Sequence, residues 1–164
     1  MREDFLVSMG YPGLTARLKR LSDQLIYQTR EIYKDHQIDI EPNWQNLFLL
    51  FKKHETLTVT QITLVTDLSH PAVIKIVNRM IDKGYLSTES DSSDARKKIL
   101  QLTDKAHKNL PVFESFWQAG HEAIEELLNH ETKLLDDLTI IENNIRKSNF
   151  RDRVNKRLSN KNTN

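Results

Sequence analysis

Cysteine is absent from this 164-residue chain, which excludes disulfides, thiolate metal sites, cysteine nucleophiles and thiol-based redox sensing. Glycine and proline number four each, too few for a turn-rich β fold and offering no glycine-rich phosphate loop. No apolar run approaches the ~18 residues of a membrane span. Residues Met1 to Met9 lack the apolar stretch of a secretion signal, so the expectation is a cytoplasmic protein with no membrane partner. A surplus of charge is missing too, since 24 Lys and Arg stand against 23 Asp and Glu. The histidines His36, His54, His70, His107, His121 and His130 form no pair with zinc-ligand spacing, and no nucleophile elbow or paired-acid motif occurs. Neither a metal, a cofactor nor an enzymatic activity is expected.

What is present is a helical pattern. With 38% hydrophobic and 29% charged residues, the composition suits one ordinary helix-rich domain, or two small ones sharing a core. Leu14, Leu18, Leu21, Leu25, Gln28 and Ile32 recur in alternating steps of four and three, a stripe on a helix that starts after Gly13. Such a stripe serves equally as an internal core or as a seam with a second chain. Pro42 and Asn43 open a second helix with Trp44, Leu47, Phe48 and Phe51 on one face. Thr58 with Gln61 three residues on is a capping box, predicting a short helix with Ile62 and Val65 turned inward. Thr66, Asp67 and Leu68 form a turn, after which Ser69 caps the next helix and Pro71 sits in its first turn. That helix turns Val73, Ile76, Val77 and Met80 inward, leaves His70, Lys75, Asn78, Arg79 and Asp82 outside, and stops at Gly84.

Residues 85–90 and 97–102 read as two strands of a hairpin with an exposed polar tip. Thr103 caps a long helix in which Pro111 predicts a bend or break. A last helix carries Leu134, Leu138, Ile141 and Ile145, then shifts phase to Phe150, Val154 and Leu158, and residues 159–164 read as a disordered tail. Charge is unevenly spread along this part. Residues 112–141 hold seven acids and one lysine, whereas residues 142–164 hold seven bases and two acids. The basic run suits a solvated helix end, a second DNA-flanking surface or a partner site.

Two short helices joined by a tight turn and followed at once by a hairpin form a helix-turn-helix with a wing, a fold that is mainly α with a small β-hairpin. The second helix of such a unit is slim enough to enter a major groove about 12 Å wide. The stretch Leu68 to Val73, with Lys75, Val77 to Met80, Lys83 to Leu86, the wing 91–96 and Leu100 to Thr103, resembles the multiple-antibiotic-resistance regulator (MarR) family of winged-helix transcription factors. The resemblance implies a homodimer on pseudo-palindromic double-stranded DNA. It assigns residues 1–38 and 103–158 to a helical dimerisation region and residues 39–102 to the DNA-binding domain. By the same resemblance Ser69, His70, Ala72, Lys75 and Arg79 face the groove, Arg96 enters the minor groove and Asp94 steadies it. A small aromatic effector is also implied, in a crevice bordered by Trp44, Phe48, Phe113 and Trp117, although bulky apolar residues at helical spacing are more often core. The rival readings are a protein-interaction module and a small-molecule-binding helical dimer, both without DNA.

Overall fold

A computed structural model of the chain describes residues 4–90 and 98–161. The chain divides into two compact units, Met1–Glu114 and Ser115–Asn164, with the division falling inside one long helix.

The first unit begins with the single-turn helix α1 (Phe5–Ser8), held at its start by the Asp4 carboxylate, which accepts from the Leu6 amide at 3.0 Å. Gly13 ends the following turn at a spot where a Cβ would lie 2.3 Å from the Leu6 carbonyl oxygen, so no side chain fits. Helix α2 (Leu14–Asp35) follows. Of its 22 residues only Tyr33 is buried, and Leu14, Leu18, Leu21, Leu25 and Ile32 are each 38% to 50% exposed. The apolar stripe anticipated there exists, and it stays partly exposed along its whole length.

Pro42–Trp44 forms a 3-10 turn that leads into α3 (Gln45–Lys53), and Trp44, Leu47, Phe48 and Phe51 are all buried. Strand β1 (Thr56–Leu57) comes next, then α4 (Val59–Thr66), α5 (His70–Asp82), β2 (Leu86–Ser90), β3 (Lys98–Leu102) and α6 (Asp104–Leu127). The strands make an antiparallel sheet in the order β1-β3-β2, with Leu57 opposite Leu100 and Leu86 opposite Leu102. The hairpin was expected, but β1 was not. Two residues carry no readable alternation, and their pairing with β3 is a contact between distant parts of the chain.

Thr103 caps α6 as expected, its hydroxyl oxygen accepting from the Ala106 amide at 3.2 Å while donating to the Gly84 carbonyl at 2.6 Å. Pro111 does not break this helix, which runs without interruption past it. The buried apolar residues of the first unit lie between Tyr33 and Phe113, so its core belongs to the helices and sheet around the helix-turn-helix.

In the second unit, α6 ends at the left-handed residues Asn129 and His130, and α7 (Lys133–Lys147) and α8 (Phe150–Lys161) follow. The expected single last helix is two helices, and the phase shift in its apolar residues marks the junction at Ser148 and Asn149. Asn149 caps α8, its side-chain oxygen accepting from the Asp152 amide at 2.9 Å. Arg153 reaches back to the carbonyls of Ser148 at 2.8 Å and Asn144 at 2.7 Å, satisfying the end of α7. Helix also continues through Ser159 to Lys161, where a disordered tail was expected; the Ser159 hydroxyl donates to the Asn155 carbonyl at 3.0 Å. Residues 162–164 lie outside the described part.

Candidate nucleic-acid interface

The helix-turn-helix is set by local bonds that the sequence spells out. The Thr58 hydroxyl oxygen accepts from the Gln61 amide at 3.2 Å, and the Gln61 side chain accepts from the Thr58 amide at 2.7 Å, so both halves of the capping box form. Ile62 is fully buried, but Val65 is 63% exposed, contrary to the inward placement expected of it. Thr66, four residues beyond Ile62, takes the place beneath instead, and its hydroxyl donates to the Ile62 carbonyl at 2.7 Å. Asp67, at φ +57°, ends α4 in the left-handed conformation that turns the chain toward α5.

Ser69 occupies the N-cap of α5 with extended backbone, yet its side chain makes no capping bond. Within α5 the buried set is Val73, Ile76, Val77 and Met80, the four residues expected. Ser69, His70, Lys75 and Arg79 are exposed, and Ala72 is half-buried at the edge of the outer face. The middle of that face is formed by Lys75, Asn78 and Asp82, which follow one another at steps of three and four. Asn78 was placed on the outer face by its spacing but not counted among the groove-facing residues. Its central position beside Lys75 is the signal that would have added it. Strands β2 and β3 stay paired out to Ser90 and Lys98. The tip between them, with Asp94 and Arg96, lies outside the described residues.

The end of α5 is anchored with more bonds than its start. Gly84, at φ +73°, closes the helix: the Tyr85 amide donates to the Met80 carbonyl at 2.8 Å and the Gly84 amide to the Ile81 carbonyl at 2.8 Å. Tyr85, next in the chain, is buried edge-on against Trp44, Phe48 and Phe113, with ring centroids 6.0, 5.8 and 5.6 Å apart. Its hydroxyl donates to the Asp39 carboxylate. The Lys105 ammonium lies 4.1 Å from the Tyr85 ring centroid, donates to the Lys83 carbonyl at 2.8 Å and pairs with Asp39 at 3.3 Å. Burial and the neighbouring carboxylate push the Tyr85 hydroxyl pKa up. Partial burial raises that of Asp39, but the bonds from Tyr85 and Lys105 outweigh it and hold the carboxyl below the ordinary value of 3.8. This cluster ties α5, the segment before α3 and the start of α6 into one piece, and it had no local signature to read.

Trp44, Phe48 and Phe113, placed in the core by helical spacing and beside a crevice by the resemblance, pack edge-on against Tyr85 in the first unit, while Trp117 is buried and belongs to the second. A cleft of about 500 Å³ does open beside the end of α5, lined by residues 38–41, Trp44, Arg79, Asp82 and Lys83. Among the described residues no group of histidines and acids is arranged to hold a metal ion, and no helix is long and apolar enough to cross a membrane.

Residues 38–97 match the sequence model of the MarR family. Over 64 residues the chain is 36% identical to the transcriptional regulator AdcR of Streptococcus pneumoniae, a match spanning 39% of this chain and 44% of that protein. Solved structures share the fold over a longer stretch. The transcriptional repressor CouR, bound to a 23-mer DNA duplex, superposes with a TM-score of 0.70 at 21% identity over 87% of this chain and 99% of its own. MepR of S. aureus, in a complex with DNA, gives 0.71 at 17% identity over 80% of this chain and 97% of its own. Residues 38–97 are thus similar in sequence to the MarR family, and the chain shares the fold of CouR and MepR over 80% or more of its length.

Proposed function

We propose that the chain is a homodimeric transcriptional regulator that binds a pseudo-palindromic duplex, with one α5 in each of two successive major grooves. The observation that carries this reading is the outer face of α5: a helix held from behind by four buried residues presents His70, Lys75, Asn78 and Arg79 to solvent with no inward role. Lys75 and Arg79 suit guanine edges or phosphate, and Asn78 suits an adenine edge. The unused Ser69 hydroxyl and the first amides of α5 suit a phosphate at the groove's rim. Asp82 repels phosphate, which favours insertion of the helix by its first half. Asp94 and Arg96 keep the roles the resemblance implied, with Arg96 in a minor groove narrowed by A·T-rich sequence. CouR and MepR, both solved with DNA, support the same use of this fold.

Dimerisation is supported by α2, whose apolar stripe is uncovered in the chain alone, and by similar exposed residues on α7 and α8. Residues 1–38 and 103–158 would then form the shared helical region flanking a winged lobe at 39–102. Two-fold symmetry places the half-sites about 10–10.5 bp apart, centre to centre. An effector acts on such a protein only by preferring one arrangement of the two lobes over the other. Using Trp44, Phe48 and Phe113 for that purpose requires opening the Tyr85 core.

Lys75→Ala tests the reading. On a duplex selected from genomic fragments it should cost ~1–3 kcal/mol and relax preference at one base pair, whereas equal loss on every sequence would make Lys75 a phosphate contact. For the parent, log affinity should fall linearly with log salt. A flat salt response, with Lys75→Ala binding like the parent, would favour the readings without DNA.

A further inference from the structure

Five apolar side chains lie on α5 from Val73 to Met80, and one of them is left outside the core. Val73, Ile76, Val77 and Met80 are buried, whereas Ile74 is 38% exposed. The helical period explains the difference, because Ile74 follows Pro71 by three residues and precedes Asn78 by four, and both of those are exposed. The outer face of α5 therefore has two columns. One runs Pro71, Ile74, Asn78; the other carries Lys75 and Arg79, four residues apart. Single exposed aliphatic side chains are ordinary on protein surfaces. This one stands among side chains suited to base edges, with His70, Lys75, Asn78, Arg79 and Asp82 as the polar exposed positions of the helix.

A major groove offers an isoleucine one apolar group, the C5 methyl of thymine; the other base edges present hydrogen-bond donors and acceptors there. Against those polar edges the side chain strips water and returns no hydrogen bond, which costs free energy. We propose that Ile74 is a specificity-determining residue that packs on the C5 methyl of a thymine in each half-site, one or two base pairs from the pair that Asn78 addresses. The spacing follows from one helical turn, about 5.4 Å, set against about 3.4 Å between stacked base pairs. The proposal rests on the reading that α5 enters a major groove, and it adds a base, and the group on it, that the polar residues of the helix do not read.

Uracil in place of thymine tests this, since it keeps every Watson–Crick bond and removes only the methyl. On a duplex selected from genomic fragments, each thymine of one half-site is replaced singly, and affinity is measured for the parent, Ile74→Ala and Lys75→Ala. At one position the parent should bind the uracil duplex about 3–10-fold more weakly, the scale of one buried methyl. Ile74→Ala should bring that ratio close to one, while Lys75→Ala, weaker on both duplexes, should keep the parental ratio. Because the ratio is taken within one protein, a loss of folded fraction cancels. A parent indifferent to uracil at every thymine would overturn the proposal, as would selected duplexes with no thymine common to both half-sites. A ratio that persists in Ile74→Ala would overturn it too, by assigning the methyl to another side chain. A parent that binds no duplex would instead refute the groove reading itself, and the proposal with it.

Discussion

Helices α2 and α5 are both amphipathic, yet they end in opposite conditions. Helix α5 buries four of its 13 residues beneath an outer face of polar and charged side chains. Helix α2 is longer, at 22 residues, and buries one. A regular apolar stripe at helical spacing therefore fixes which way a helix must face but not what it faces. For α5 the answer lies within the chain, in α4 and the aromatic core around Tyr85. For α2 the first unit's own core supplies no such surface, and the proposed dimer rests on that observation.

The largest expected effect separates these two conditions directly. Phe48→Ala, at a fully buried position packed against Tyr85 and Phe113, should destabilise the folded chain by about 3–5 kcal/mol in denaturant unfolding. Leu21→Asp on α2 should do the reverse: monomer stability stays within about 0.5 kcal/mol, while dimerisation weakens at least ~10-fold. If Leu21→Asp unfolds the chain as Phe48→Ala does, α2 has an internal partner and the contrast is wrong.

A smaller effect sharpens the account of how α5 is held. Because Asp39 is kept below its ordinary value of 3.8 when folded, it adds stability at higher pH that is lost as the pH falls below about 4. Asp39→Asn should flatten that acid limb of the stability curve and leave the neutral-pH fold in place. An unchanged acid limb would show that the Tyr85 and Lys105 bonds contribute little to anchoring α5.

Much of the helix-turn-helix was legible in the sequence because it is built from contacts three or four residues apart. The Thr58 and Gln61 capping box, the inward set Val73, Ile76, Val77 and Met80, and the stop at Gly84 all belong to this class. Features that join distant segments were not legible. Strand β1 pairs with β3 more than forty residues on, and Tyr85 meets Asp39 across 46 positions. Val65 misled because two candidates, Val65 and Thr66, stood one turn beyond Ile62, and a threonine that bonds its hydroxyl back to the helix can occupy an inner position as well as a valine. At Ser69 the residue type was right for a cap, but the bond did not form. Trp44, Phe48 and Phe113, for which helical spacing favoured a core place and the resemblance a crevice, pack around Tyr85, an arrangement that spacing alone does not distinguish from a pocket.

The central claim, that two copies of α5 address one duplex, is tested most directly by the stoichiometry and footprint of the protein on a duplex selected from genomic fragments. The account predicts two protomers per duplex and a dyad-symmetric footprint with half-sites about 10–10.5 bp apart. A single protomer bound, or protection without a dyad, would contradict it.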